Sequence, residues 1–293
     1  MRLFPSLAVR TGRGFGKARK KLFRTCADLP PVSRYLDRRR SEDMAAFAAY
    51  LPHLSPFDHA VVQRLRETGY AVTTVADFDL PEHQMLLRDG AHVGRAFAAV
   101  AKAQARIGVQ HNAVSGDVIT AHPQLYRWGL HARLLDIAET YLQCTTAYEG
   151  GLVSYTVADG AQQGPRRWHV DYEDRRMIKV IIYCNDVGAE DGPFELVTDT
   201  VGAVSETVTI TGQAGTLIFV DTARLRHRGR PATASDRIAL FAHYFPRRPR
   251  YRLGFPQAAV TGRQVRTLAS GLPPRSQAAA FWREAARRRK VSA

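Results

Sequence analysis

Trp168-His-Val-Asp171 is the stretch on which the reading of this 293-residue chain turns. His169 and Asp171 lie two positions apart. In a strand, residues i and i+2 project to the same face, so an imidazole nitrogen and a carboxylate oxygen would meet at one point. Two donors do not fill a metal's coordination sphere. The chain supplies a third in His227, within Leu225-Arg-His-Arg-Gly-Arg-Pro231, and ten residues on Arg237 opens the apolar run Ile238-Ala-Leu-Phe241. H-x-D alone is an ordinary polar strand end. H-x-D, a distant His and then an Arg, in that order, is far more specific than any one part.

Two histidines and one carboxylate on one face, with the other positions open, form the ligand set of non-heme Fe(II) oxygenases. The same donors can hold catalytic zinc, but no H-E-x-x-H helix occurs here. The remaining histidines fall mostly on predicted helices or loops without a ligand-like partner. His243, six residues after Arg237, reads as packing or as an outer partner of the site.

Around the motif the pattern is one of strands. Leu152–Val157 alternates, Met177–Tyr183 is a strong apolar strand, and Val204–Ile210, Thr216–Val220 and Ile238–Phe245 follow. Short strands separated by Gly, Pro and Asp turns suit a jelly roll. Before residue 150 the chain reads as helical. Met44, Phe47, Ala48 and Leu51 mark a helix over 41–54. Ser55-Pro56 caps another, ended by Gly69 and followed by a strand at Tyr70–Val75. Residues 82–106 read as a helical segment interrupted near Gly90 and Gly94, and a helical region runs from His122 to Leu142 with Leu130, Leu134, Leu135 and Ile137 on its core face. The expected fold class is mainly β with flanking helices: a double-stranded β-helix, cupin-like, over 151–250 behind a helical lead-in over 41–150, together a domain of residues 41–275.

At these residues the sequence resembles the phytanoyl-CoA dioxygenase family of 2-oxoglutarate-dependent Fe(II) oxygenases. The matching stretches are Trp168–Arg176, Lys179–Val187, Asp191–Glu195, and His227 through Arg237 to Pro246, with Glu67–Val72 and His122–Tyr126 fitting less specifically. They span roughly residues 150–250 and leave both termini uncovered. Where relatives often continue into a Pro-Gly-Ser-His turn, this chain has Val197-Thr-Asp-Thr200, which bears on the shape of that loop.

The resemblance implies iron held by His169, Asp171 and His227, with 2-oxoglutarate and O2 as cosubstrates and succinate and CO2 as products. Arg237 would pair its guanidinium fork with the distal carboxylate of 2-oxoglutarate, a task that suits an arginine better than a lysine. Arg224, Arg226, Arg228 and Arg230 compete for that role but read as loop residues. Lys179, in mid-strand, either reaches solvent at a sheet edge or helps bind the cosubstrate. Tyr155 and Tyr183 are candidates for the same pocket or for ordinary core packing, and Trp168 either walls the site or sits in the core. A carboxylate at Asp171 favours hydroxylation over halogenation, which needs a small residue there. The expected function is hydroxylation of a small molecule. The alternative is a non-catalytic cupin-like binding protein.

The formal net charge of +15 sits at the ends. Residues 1–40 hold twelve Lys/Arg against two Asp, and residues 281–293 five against one Glu, while residues 41–280 hold 25 basic and 24 acidic side chains. A nearly neutral body argues against a nucleic-acid groove. Residues 1–40 read as a basic arm ended by Pro30-Pro31, and 276–293 as a basic helix or tail, both suited to an anionic surface or a carrier protein. No apolar run of eighteen residues suggests a membrane span. Three widely spaced cysteines, Cys26, Cys144 and Cys184, indicate no disulfide framework, and with no secretory h-region the cytoplasm is the expected location.

Overall fold

The second half of the chain folds into two antiparallel sheets, the larger of which takes one further strand from the first half. The computed structural model describes residues 22–109, 112–198, 205–251 and 260–284. Its strands are β1 (Tyr70–Thr74), β2 (Thr146–Thr156), β3 (Ile178–Tyr183), β4 (Phe194–Val197), β5 (Thr207–Ile210), β6 (Thr216–Val220), β7 (His227–Gly229) and β8 (Arg237–Pro246). The larger sheet runs β1-β6-β3-β8-β2 and the smaller β5-β4-β7. The strand expected at 204–210 is described from residue 205 on, and the loop departure at Thr200 falls outside the described residues.

The large sheet is apolar on both faces. On β3, Ile178, Val180 and Ile182 point to the helices, and β8 sends Ile238, Leu240, Ala242 and Tyr244 the same way. The alternate residues Ile181, Tyr183 and Ala239 pack toward the small sheet with Phe194, Leu196 and Leu225. The buried polar side chains of His227 and Arg237 also lie in that inner space.

The helix His83–Arg106 is continuous, although Gly90 and Gly94 suggested an interruption. These glycines let the helix lie close on the sheet. A Cβ at Gly94 would meet Ile238 Cγ2 at 2.5 Å, and one at Gly90 would meet Cys184 Sγ at 2.8 Å. The helix Pro56–Thr68 begins at Ser55, whose side chain accepts from the Asp58 amide at 3.1 Å, and ends at Gly69 with φ +82°. The helical region after His122 breaks into short turns and the helix Ala132–Leu142, with Leu130, Leu134, Leu135 and Ile137 buried.

The expected boundary at residue 40 is crossed by a helix. A helical stretch over 22–28 ends just before Pro30-Pro31, and the prolines then start the helix Pro30–Phe47, because proline fits a first helical turn. Arg250 and Arg175 each reach Asp37 at 2.9 Å, Arg248 reaches Asp43 at 3.0 Å, and Arg40 donates to the Leu142 carbonyl at 2.6 Å. These contacts tie the helix to the body. Toward the C-terminus the helices Gly262–Ala269 and Pro274–Ala280 follow, while the Arg-Arg-Arg-Lys run at 287–290 lies outside the described residues. Among the described residues no helix is long and apolar enough to cross a membrane.

Candidate metal centre

His169 sits not in a regular strand but in a single antiparallel bridge to His227. The His169 amide donates to the His227 carbonyl at 3.0 Å, and the His227 amide returns a bond of 2.8 Å. Two residues on, the Asp171 amide donates to the Thr222 carbonyl at 2.9 Å. The pairing is short because the chain enters from the turn Gly164–Arg166 and leaves at Asp171. It still fixes both backbones and draws the three side chains together.

The donor atoms of His169, Asp171 and His227 lie within 4.8 Å of one another. His169 Nε2 is 3.8 Å from Asp171 Oδ1, and His227 Nε2 is 3.8 Å from Asp171 Oδ2. Each imidazole donates its Nδ1–H to a carbonyl two residues back: His169 to Arg167 at 2.7 Å, His227 to Leu225 at 3.0 Å. That fixes the tautomer and turns the Nε2 lone pair inward, as in metal-ligating histidines. His227 Nε2 is buried with no hydrogen-bond partner, and an orphaned acceptor beside a carboxylate and a second imidazole suits a cation. Burial, reinforced by the Lys179 charge, pulls the His227 ring down to about 3, so near neutral pH it is a neutral donor. Burial raises the Asp171 carboxyl, but the Lys179 charge and hydrogen bond outweigh it and hold the group below the usual carboxylate range. The Phe194 ring stacks on His227 with centroids 5.4 Å apart.

Lys179 is neither at a sheet edge nor unpaired. Its Nζ donates to Asp171 Oδ2 at 2.6 Å, with 15% of the side chain exposed. Arg237 and Tyr183 lie further along the same inner face. Arg237 is buried, donates to the Gly192 carbonyl and to Thr156 Oγ1 at 3.2 Å, and keeps Nε without a partner. No carboxylate stands within ion-pair distance of it among the described residues. Gly229, two positions from His227 on β7, makes room for it: a Cβ there would lie 3.2 Å from Nη2. Tyr183 is fully buried, its hydroxyl donating to the Ile210 carbonyl at 2.8 Å and accepting from the Phe194 amide at 2.9 Å, with its ring centroid 6.0 Å from the Arg237 guanidinium carbon.

Tyr155 stands apart. It packs on the helix-facing side of the sheet, and its hydroxyl donates to Asp236 at 2.6 Å. Register explains this: Thr156, opposite Arg237, faces inward, so its neighbour faces outward. Trp168 is not a core residue but lies half-buried under the Arg228 and Arg226 guanidiniums, 4.6 and 5.6 Å from its centroid. Of the competing arginines, Arg228 pairs with Glu195 at 2.6 Å, Arg230 with Glu190 at 3.1 Å, and Arg224 binds the Arg66 and Glu67 carbonyls. Sequence reasoning missed Gly192, Thr156 and Gly229, which shape the Arg237 niche. Gly229, inside the His227 motif, and Gly192, inside the stretch Asp191–Glu195, left a signal, and Thr156 left none.

No protein-family model matches the sequence, and no curated protein matches it. The phytanoyl-CoA dioxygenase resemblance therefore rests on the quoted motifs. Among solved structures the chain is similar to the non-heme alpha-ketoglutarate-dependent epimerase SnoN from nogalamycin biosynthesis, at 16% identity over 66% of this chain and 86% of that one, TM-score 0.44. It is similar to the carbocyclase SnoK from the same biosynthesis, at 19% identity over 66% and 85%, TM-score 0.43. It is also similar to EctD from S. alaskensis with bound Fe, at 17% identity over 71% and 87%, TM-score 0.43. At that distance the case for a function rests on the geometry of the centre itself.

Proposed function

We propose that this chain is an Fe(II)- and 2-oxoglutarate-dependent oxygenase that hydroxylates a small molecule. The observation carrying the proposal is that one inner space holds both a His-Asp-His donor cluster and a buried arginine with no counter-anion among the described residues. A guanidinium removed from water is costly unless an anion meets it, and a diacid spanning from a metal to Arg237 would meet it.

The strand order supports a double-stranded β-helix. With the bridge at His169, which lies between β2 and β3 in the chain and extends the small sheet beyond β7, the strands from β2 onward run large, small, large, small, then after the β4–β5 hairpin large, small, large. In this reading His169, Asp171 and His227 would hold the ion. Iron with 2-oxoglutarate and O2 would supply the oxidation, the cosubstrate leaving as succinate and CO2. Arg237 would orient the distal carboxylate, while Tyr183 and Phe194 would keep water from it. A carboxylate at Asp171 leaves no room for a halide and so favours hydroxylation. The three unpaired cysteines suit a cytoplasmic location. The basic ends would meet an anionic surface or a carrier protein. Succinate release with added Fe(II) and 2-oxoglutarate tests the proposal, and His169→Ala, Asp171→Ala or His227→Ala should each abolish it in a folded protein. Release at the wild-type rate from any one of them would remove that residue from the centre.

A further inference from the structure

Lys179 is the side chain whose position says more than the reading above requires. It occupies the inner face of β3, a central strand paired on both sides, opposite Val220 on β6 and His243 on β8. A long, mobile side chain on so fixed a strand delivers its ammonium to one place. That place is Asp171 Oδ2, at 2.6 Å, with 12% of the Asp171 side chain exposed. The other oxygen, Oδ1, faces His169 Nε2 at 3.8 Å, and the Thr222 side chain also stands beside the carboxylate.

Lys179 is also on the wrong stretch of β3 to share the task of Arg237. Arg237 lies beside Tyr183, four residues along, which at ~3.3 Å per residue is about 13 Å from Lys179. A diacid reaching from the centre toward Arg237 points away from Lys179. The lysine belongs to the metal end of the cavity.

A carboxylate can ligate through one oxygen or two. With both oxygens free it can close on the ion and take up a position that a cosubstrate needs. We propose that Lys179 is a positioning residue for the centre: by holding Oδ2, it leaves Asp171 to offer the ion Oδ1 alone and so keeps a position open. The inference rests on the His169–Asp171–His227 reading. Outer partners of metal ligands commonly act through orientation, and their loss typically costs about 10- to 100-fold in affinity or activity. Metal affinity is a poor diagnostic here, because removing Lys179 loses orientation but also removes a like charge beside the ion, and the two act oppositely. The ligation mode and the binding of the cosubstrate are the direct readouts.

The experiment uses the full chain loaded with Co(II), whose visible absorption weakens as ligand number rises, in wild type, Lys179→Met and Lys179→Arg. Lys179→Met should show a weaker, shifted Co(II) spectrum and bind 2-oxoglutarate roughly tenfold or more less tightly. Lys179→Arg, which keeps an N–H donor and the charge, should restore much of the wild-type spectrum. An unchanged spectrum in Lys179→Met overturns the inference, and an unchanged spectrum with lost 2-oxoglutarate binding makes Lys179 a direct cosubstrate ligand instead. Should Lys179→Met not fold, a folded Lys179→Arg that loses the wild-type spectrum overturns it equally. If wild type itself gives no protein-bound Co(II) spectrum, the triad reading fails, an outcome distinct from any change confined to the variants.

Discussion

Arg237 is held by a carbonyl, a hydroxyl and an aromatic ring, none of which carries charge. Burial lowers its pKa from the ordinary arginine value, and the planar fork keeps two N–H groups available to a carboxylate. Arg237→Lys would keep the charge and lose the fork. One charge-assisted bond is worth about 1.5–3 kcal/mol, so the substitution should raise the 2-oxoglutarate dissociation constant roughly ten- to a hundredfold. Metal affinity, titrated separately, should barely move, and an unchanged cosubstrate titration would move the role to another residue. That His169, Asp171 and His227 converge was legible from residue type and spacing, since few side chains donate to metals. The Lys179 contact was not legible. A lysine in an apolar strand signals that a partner exists, but only the fold says which carboxylate it is. Tyr155 misled for a related reason: one residue of register separates an inward side chain from an outward one.

At the scale of elements, the glycines of the helix His83–Arg106 show how local rules yield to packing. Propensity alone says that Gly90 and Gly94 weaken a helix by about 1 kcal/mol each, which is why an interruption was expected there. Against Cys184 and Ile238 they set the approach of helix to sheet instead. Gly94→Ala should therefore destabilise the protein by about 1–3 kcal/mol through overpacking, despite the better helix former, as read from denaturant midpoints. A gain in stability would mean that the helix can move off β8. Strand β2 was readable from alternation, and β3, β6 and β8 as apolar runs bounded by turn residues. Strands β4 and β7, four and three residues long, were not, because so few residues carry no measurable period and pairing alone makes them strands.

For the whole molecule, composition suggested a basic arm ending near residue 40, and contacts place helical structure on both sides of that point. Charge was legible in the sequence, whereas the ion pairs of Asp37 and Asp43 with residues far along the chain were not. Deleting residues 1–21 should leave thermal stability and 2-oxoglutarate turnover unchanged. Deleting residues 1–40 cuts the helix and removes the Asp37 and Arg40 contacts, so the melting temperature should fall. Equal melting temperatures for the two truncations would show those contacts to be idle. If the arm meets an anionic surface, the shorter deletion should also weaken salt-sensitive co-sedimentation with anionic vesicles.

The niche around Arg237 has an effect that reaches the entire fold. A cation kept from water is a debt carried by the native state alone, because unfolding returns it to solvent. Any small dicarboxylate that fills the niche relieves it and is bound only while the chain is folded. Native stability should then rise by RT ln(1 + [L]/Kd), about 2.7 kcal/mol at a hundredfold excess over Kd. Succinate carries the same distal carboxylate as 2-oxoglutarate, so it too should raise the melting temperature, and Arg237→Met should abolish that rise. A thermal melt with succinate would thus detect the anion niche without iron, oxygen or turnover, and on the proposed function such binding would make accumulating succinate a competitor of 2-oxoglutarate.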